Sequence, residues 1–364
     1  MGIMNYKNRK FIEDTINNMI DWYRVKCRKK DWVDFATKHL KNLSLTSVEA
    51  KTAEEFYRPY CKVNPVFFDF YKEKTGSFDK KFIPEDIYYG YVDPYFNDWS
   101  AAVFLDNKCY YENLFAGVKQ PETVLLRMNG IWFDGTKNVI SVKRVNEILA
   151  SEQNLFIKIA TESDGGHGVR YFENSKDMKK FNDFVESTVA DIIVQRGVIQ
   201  HAELNKLNPS SVNTIRTLSL LTNEGVKIYS SVLRVGVDGS KVDNEASGGR
   251  TCGILENGCL KAIAHNKYGD SCLEHPNSHI QFYGYHVPCF EKVLEIIPKL
   301  HTQVPLFRLI SWDFSIDEYG DPVLIEANFR YGGVTIHQLN NGPIFGDDTE
   351  KVLEEVFGNS KHRK

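Results

Sequence analysis

The sequence predicts an α+β protein, and three observations predict it. Apolar residues recur at helical spacing through the first sixty positions. From about residue 120 onward, short β-rich runs are separated by Asn-Gly, Glu-Gly and similar turn signals. Amphipathic helical stretches then reappear between and after those hairpins. Antiparallel hairpins with helices on one side make an α+β architecture.

The elements follow in order. Phe11, Ile12, Ile16, Met19, Ile20 and Tyr23 mark one helical stripe, and Trp32, Phe35, Ala36 and Leu40 mark another. Both stretches are rich in Lys and Arg, which reads as a solvated helical face, with a surface for an anionic partner or membrane headgroups as the alternative. Residues 61–105 are crowded with aromatics, from Phe67 and Phe68 to Tyr95 and Phe96, and are interrupted by Pro65, Pro84 and Pro94. Linkers are polar and poor in aromatics, so this is expected to be a packed connector with no long element. Val124–Arg127 and Ile131–Phe133 flank Asn129-Gly130 as a hairpin. Leu155–Ile159 is a strand, Lys176–Thr188 a helix and Ile192–Gln195 a strand. Further hairpins turn at Asn223-Glu224-Gly225, Glu256-Asn257-Gly258 and Glu318-Tyr319-Gly320, with helices near Cys289–Leu300 and Thr349–Phe357. Three regions are expected: a helical and aromatic N-terminal part over 1–104, then α+β parts over 105–198 and 199–364. No internal repeat or low-complexity tract is present.

Composition bounds the function. The formal net charge is -3, which argues against a general nucleic-acid binder, since those carry a basic surplus. The first sixty residues contain no apolar run suited to a signal peptide or a membrane helix. Seven scattered cysteines without a C-x-x-C pair read as reduced thiols of a cytoplasmic protein, not as a zinc site.

The most informative segment runs from Ser311 to Asn328. Folding it about Tyr319-Gly320 sets Asp313 opposite Glu326, and directly opposed residues of an antiparallel pair have Cβ atoms about 5 Å apart on one face. Asn328 lies two residues beyond Glu326 and shares that face by the period of two. Trp312, Phe314, Ile316, Val323 and Ile325 take the other, core face, while Ser315, Asp317 and Leu324 fall on the carboxylate side. Two opposed carboxylates with an amide, and no His or Cys, are hard oxygen donors suited to Mg²⁺ or Mn²⁺. The plainer alternative is a solvated hairpin with its charges outward.

The second segment is the strand Phe156-Ile157-Lys158-Ile159, running into Asp164-Gly165-Gly166-His167-Gly168. Consecutive glycines let backbone N–H groups close around phosphate oxygens. Lys158, among apolar neighbours, needs a buried anion as partner. The loop lacks the G-K-[ST] ending of a Walker A motif, and the nearest match, Gly130 through Gly135-Thr136-Lys137, inserts a Thr. An ordinary turn is the competing reading.

Taken in order, these pieces resemble the ATP-grasp superfamily over roughly residues 105–345: a lysine-bearing strand, a flexible glycine loop, a hinge strand and a late Asp…Glu-x-Asn triad. Gln200-His201-Ala202-Glu203-Leu204, Asn213-Thr214-Ile215-Arg216, Leu233-Arg234-Val235-Gly236, Asp243-Asn244, Gly248-Gly249, His275-Pro276 and Gln338 are more similar to its sugar-transfer-associated group. The resemblance implies a fold in which two α+β subdomains grip ATP, here with a helical N-terminal extension in place of the family's usual Rossmann-like opening domain.

It also implies roles. Lys158 would bind the α- and β-phosphates, with Lys108 as a second ATP-contacting lysine, and Gly165, Gly166 and Gly168 would cover the β- and γ-phosphates. The backbone at Arg196 and Val198 would meet the adenine edge. Gln195 stands where the family usually has Glu. Glu203 would hold the ribose, and Asp313, Glu326 and Asn328 would bind Mg²⁺ or Mn²⁺. Arg216 and Arg234 would steady the γ-phosphate and the charge developing during transfer. Asn244, His275 and Gln338 would face the acceptor. His275 beside Pro276 also suits a turn, and its i, i+4 spacing to His279 is no zinc pair in a loop holding Pro and Asn. The implied activity is an ADP-forming carboxylate–amine ligase working through an acyl phosphate in glycan biosynthesis or modification. Its small-molecule or glycan-linked carboxylate and amine are left unnamed. The alternatives are an ATP-grasp kinase acting on a sugar or other hydroxyl, and a non-catalytic nucleotide-binding module.

Overall fold

A computed structural model describes residues 29–161, 168–241 and 248–358. The stripe from Phe11 to Tyr23, Cys27, the loop glycines Gly165 and Gly166, and Asp243-Asn244 lie outside these residues. The chain divides into two compact units, one formed by Met1–Tyr95 with Gly342–Lys364 and the other by Phe96–Asn341. The C-terminal helix Thr349–Gly358 therefore groups with the N-terminal region, and the expected division at 198/199 falls inside the second unit. No described helix is long and apolar enough to cross a membrane.

The first unit is helical. A helix through 29–39 precedes helices Ser47–Tyr57 and Val66–Thr75. Thr46 starts the former through a reciprocal capping box with Glu49, which satisfies two amides that have no partner inside the helix. The aromatic region expected as an irregular connector is instead the core of this unit: Tyr57, Phe67, Phe68, Phe70, Tyr71 and Tyr88 are buried. Its prolines start helices where they were expected only to break them. Pro65 precedes Val66–Thr75 and Pro84 precedes Glu85–Ile87, positions where the missing N–H costs nothing. Buried tyrosine hydroxyls find acceptors, Tyr57 Oη on Phe82 O at 2.8 Å and Tyr71 Oη on Glu85 Oε1 at 2.5 Å.

The second unit holds two antiparallel sheets. The first comprises β1 (Thr123–Met128), β2 (Ile131–Asp134), β3 (Leu155–Ile159), β4 (Val169–Phe172) and β5 (Ile192–Arg196), in the order β2-β1-β5-β3-β4. Helices Val142–Ser151 and Met178–Glu186 cover one face, packing Val145, Leu149, Phe181 and Phe184 onto Leu155, Ile157, Ile192 and Val194. Arg127 closes the second helix by donating to Val185 O, Thr188 O and Ala190 O. Strand alternation turns Phe156, Lys158, Ile193 and Gln195 to the opposite face.

The second sheet comprises β6 (Thr214–Thr222), β7 (Gly225–Val235), β8 (Arg250–Ile254), β9 (Leu260–His265), β10 (Ser271–Cys272), β11 (Leu309–Ile316) and β12 (Pro322–Asn328), in the order β10-β9-β8-β7-β6-β11-β12. One face is apolar: Ile215, Leu233, Cys252, Trp312, Phe314 and Ala327 pack with Phe290, Val293 and Ile297 of helix Phe290–His301. Helices were expected on one side, but helix Val334–Asn341 covers part of the other face through polar bonds. Asn340 Nδ2 donates to Thr251 Oγ1 and Asn341 Nδ2 to Ser230 Oγ. The sheet is thus apolar on one face and hydrogen-bonded on the other.

The hairpin β11–β12 departs from simple folding about Tyr319-Gly320. Near the turn Ile316 pairs with Pro322, Ser315 with Val323 and Phe314 with Leu324, while farther out Asp313 pairs with Glu326. Ile325 is the extra residue of a β-bulge, which changes the side-chain phase of β12 by one. Leu324 therefore lies in the core with Phe314 and Trp312, and Val323 opposes Ser315, reversing the faces expected for these two residues. Glu326 still lands beside Asp313.

Candidate active site

The polar face of the second sheet gathers five expected site residues. Asp313 pairs across β6 with Arg216 and across β12 with Glu326, Asn328 lies opposite Ser311, and Thr214 lies opposite Arg234. Asp313 is 2% exposed. Its Oδ1 accepts from Arg216 Nε at 2.7 Å, and its Oδ2 from Arg216 Nη2 at 2.5 Å and Arg234 Nη1 at 3.2 Å. Burial alone would raise the pKa of this carboxyl, but the two guanidinium groups outweigh it and hold the pKa below the ordinary value. Asn328 Nδ2 donates to Ser311 O at 3.0 Å, which leaves the amide oxygen as the group to offer a cation.

The chain reaches across this face on two glycines. A Cβ on Gly332 would lie 2.9 Å from Ser311 Cβ, and one on Gly333 would lie 3.2 Å from Arg216 Nη1. Gly333 also has φ +83°, a conformation that side-chain-bearing residues rarely adopt.

The first sheet brings the lysines. Lys108 N donates to Ala160 O at 2.9 Å, and Asn107 Nδ2 donates to Asp191 Oδ2 at 3.0 Å, fixing this segment against β3 and β5. The Lys108 ammonium then meets Glu326 Oε1 at 2.7 Å. Lys158 Nζ donates to Gln195 Oε1 at 3.0 Å, and Gln195 Nε2 donates to Pro121 O at 3.1 Å, so Gln195 orients the lysine. Burial, with repulsion from Lys108, lowers the Lys158 pKa to about 8, and Glu326 acts in the opposite sense.

Other expected residues sit differently. Arg196 N–H donates to Glu122 O, and its guanidinium is held by Glu152 and Glu122. Glu203 Oε1 lies 2.6 Å from Lys206 Nζ, and its Oε2 accepts from Tyr285 Oη at 3.3 Å. Gly168 is buried and its carbonyl accepts from Ile159 N, placing it at the base of the loop. His275 is buried, donating from Nε2 to Gly236 O at 2.8 Å while Nδ1 faces Ser278 Oγ at 3.1 Å. Nδ1 thus serves the turn, while Nε2 ties it to the end of β7. Gln338 is fully buried on helix Val334–Asn341.

Two further groups escape a reading of the sequence. Arg330 Nη2 pairs with Asp106 at 3.1 Å, and burial raises the Asp106 pKa to about 6 despite that pairing. His337 is fully buried, its Nδ1 2.8 Å from Ser230 Oγ; burial, then Arg216, lowers its pKa to about 3, and it stays neutral. Nothing in the sequence sets it apart from a core residue.

Among the described residues, no group of three or more His, Cys, Asp or Glu is placed to hold a metal. The set here is two carboxylates and an amide. Such hard oxygen donors fit Mg²⁺, which keeps much of its coordination shell as water and phosphate oxygens. Around them stand Lys108, Lys158, Arg216 and Arg234. The arrangement can neutralise a polyphosphate chain and orient one charged group against another.

Comparison with known proteins places the chain in a family. The model for the family described as sugar-transfer associated ATP-grasp matches residues 90–353, more than half of the chain. No curated protein matches. Among solved structures, the chain is similar to the VanG D-Ala:D-Ser ligase from Enterococcus faecalis, at 13% identity over 71% of this chain and 62% of that one, with a TM-score of 0.42. It is also similar to the biotin carboxylase domain of a 2-oxoglutarate carboxylase from Hydrogenobacter thermophilus, in complex with MgADP, ADP and bicarbonate, at 14% over 64% and 41%, TM-score 0.38. A third is D-alanyl-alanine synthetase A from Vibrio cholerae, at 14% over 71% and 67%, TM-score 0.40. The chain spans less than two thirds of the length of the first two of these proteins.

Proposed function

Because the chain belongs to the sugar-transfer associated ATP-grasp family, we propose that it is an ATP- and Mg²⁺-dependent ligase joining a carboxylate to an amine in polysaccharide or cell-surface glycan biosynthesis. The observation that carries this reading is the convergence of Asp313, Glu326 and Asn328 with Lys108, Arg216 and Arg234 on one buried polar face.

ATP supplies the phosphoryl group that converts a carboxylate into an acyl phosphate, and the amine then displaces phosphate to give an amide. In this reading Lys158 and Lys108 bind the polyphosphate, and the glycine loop ending at Gly168 covers it. Asp313, Glu326 and Asn328 hold Mg²⁺. Arg216 and Arg234, fixed by buried strands, stabilise charge as the phosphoryl group moves; their positions are preorganised, so little reorganisation is needed. Val198 meets adenine and Glu203 the ribose. Gln338 and Asn244 are assigned to the acceptor, while both ring nitrogens of His275 are engaged, Nδ1 within its turn and Nε2 on Gly236 O. The setting is cytoplasmic, in keeping with the described cysteines being free thiols.

The test is calorimetry of Mg·ATP binding to the wild type and Glu326→Ala, followed by a phosphate-release screen against pooled amino acids, amino sugars and uronic acids. Binding weakened by the substitution, with release only when one carboxylate and one amine are both present, supports the ligase. A stable phosphorylated product without free phosphate would point to a kinase. Absence of ATP binding by the wild type would sink the reading.

A further inference from the structure

We propose that the second unit carries a further small-molecule site, a cavity beside the end of β5 that takes a hydroxylated, ammonium-bearing ligand the size of an amino sugar. The inference goes beyond the nucleotide reading, since no residue lining this cavity is assigned to the phosphates, the metal or adenine.

The cavity has a volume of about 420 Å³, and its lining includes Glu112, Phe115, Gln120, Pro121, Glu122 and Thr123. Small-molecule sites commonly span about 300–1,000 Å³. A bulge shapes its wall. Thr123 pairs with Gln195 and Leu125 with Val194, which leaves Val124 as the extra residue of β1. Such a bulge re-aims the side chains around it. Gly135 also lines the cavity, and a Cβ there would collide with Thr123 O, so only glycine lets the chain after β2 come this close.

The lining is rich in acceptors. Thr123 is 8% exposed, and its hydroxyl makes no hydrogen bond among the described residues. Gln120 uses both amide hydrogens, donating from Nε2 to Tyr111 O at 3.0 Å and Phe115 O at 3.3 Å, so its Oε1 is left to accept. Glu112 has Lys137 only as a loose partner at 3.8 Å, and Glu122 shares Arg196 with Glu152. No lining side chain is cationic, and the two carboxylates oppose an anion. A nucleotide or a carboxylate is therefore a poor occupant. Ligand hydroxyls match Gln120 Oε1 and the Thr123 hydroxyl, an ammonium matches Glu112 and Glu122, and Phe115 and Pro121 give the ring an apolar wall.

The cavity adjoins the nucleotide residues through two backbone carbonyls. Pro121 O accepts from Gln195 Nε2, whose Oε1 in turn accepts from Lys158 Nζ, and Glu122 O accepts from Arg196 N. The ligand thus has two sources, the amine consumed by the proposed ligase or an effector felt through Gln195.

The experiment is calorimetry of the full chain with glucosamine, glucose and glucuronate. Glucosamine is expected to bind about 2–5-fold more tightly than glucose, the worth of a partly solvated ion pair, and glucuronate more weakly than either. Thr123→Val, which keeps the shape of the side chain, is expected to weaken glucosamine binding about 2–10-fold with Mg·ATP affinity unchanged. Glu112→Gln is expected to narrow the preference over glucose. Absence of glucosamine binding up to about 10 mM overturns the inference, as does equal binding of the three sugars or a folded Thr123→Val chain that binds glucosamine like the wild type. If Thr123→Val does not fold, the three sugars and Glu112→Gln decide. Once glucosamine binds, phosphate release from ATP that requires it assigns the cavity to the substrate amine, and binding without release assigns it to an effector. Failure of ATP to bind is a separate result: it removes the ligase reading and leaves this inference to the sugar titrations.

Discussion

Lys108, anchored on the five-stranded sheet, sets its ammonium 2.7 Å from the Glu326 carboxylate on β12 of the seven-stranded sheet. The bond ties the two sheets together at the point where a polyphosphate would enter. With side-chain exposures of 11% and 30%, the pair is worth more than a surface ion pair but is still partly solvated. In a double-mutant cycle of Lys108→Met and Glu326→Gln, urea unfolding is expected to give a coupling of about 1 kcal/mol. Additive losses would mean that the two side chains do not sense each other.

The Lys158 ammonium should make nucleotide affinity depend on pH. Its pKa is lowered from 10.5 to about 8, chiefly by burial. Between those values the folded chain binds fewer protons than the unfolded one, so this group's contribution to stability rises with pH across that window. Affinity for a polyphosphate moves the opposite way, since the positive charge is lost as pH passes 8. ATP binding is expected to weaken above pH 8 in the wild type, and Lys158→Arg to flatten that slope, because the guanidinium stays charged. Calorimetry across the pH series measures both, and an unchanged slope in Lys158→Arg would assign the titration to another group.

Acid should destabilise the second unit through His301. Trp312 Nε1 donates to Ser219 Oγ at 2.8 Å, Ser219 Oγ faces His301 Nδ1 at 2.8 Å, and His301 Nε2 donates to Phe307 O at 2.9 Å. Burial lowers the His301 pKa from 6.5 to about 4, so the folded state binds fewer protons over that interval. The stability contribution is whole above pH 6.5 and is lost as pH falls toward 4, on the order of 3 kcal/mol. Ser219→Ala strands two buried polar groups and is expected to cost about 2–4 kcal/mol at neutral pH, read by Trp fluorescence in urea.

Gly333→Ala should affect binding as well as folding. The residue has φ +83°, and its added Cβ would lie 3.2 Å from Arg216 Nη1. Gly130 is a matched control, with φ +79° and nothing within 4 Å of an added Cβ. Each alanine is expected to cost about 1–2 kcal/mol through backbone strain. Only Gly333→Ala is expected to weaken Mg·ATP binding, by displacing the guanidinium. Equal affinities in the two variants would detach Arg216 from nucleotide binding.

Much of this arrangement is legible in the sequence because strands carry a simple code. The place of Asn328 on the face of Glu326 and the turn of Lys158 away from the helix-covered face follow from a period of two, whereas Asp313 meets Glu326 because the bulge at Ile325 offsets a turn one residue tighter than the sequence suggests. The faces of Val323 and Leu324 are not legible, because a bulge leaves no mark in composition. The aromatic stretch after residue 61 misleads for a related reason: its prolines sit at helix starts, where they favour the very element they would break from within. Asp106 and His337 depend on contacts between residues more than one hundred positions distant, Asp106 with Arg330 and His337 with Ser230. Local pattern carries no trace of such pairings.

The extra residue at Ile325 gives this hairpin an asymmetric tolerance to change. A regular ladder continued from Phe314 and Leu324 would set Ile325 against Asp313 and turn Glu326 toward Trp312. With Ile325 present, the bulge therefore decides whether that carboxylate meets charge or core. Excising Ile325 would be milder than smoothing the bulge out around it. The shortened strand would bring Glu326 opposite Asp313 in an unbroken ladder, and only the local kink and twist would be lost. The half-buried side chain of Ile325 thus works as slack in the strand, and the hairpin can give up that slack more safely than it can absorb it.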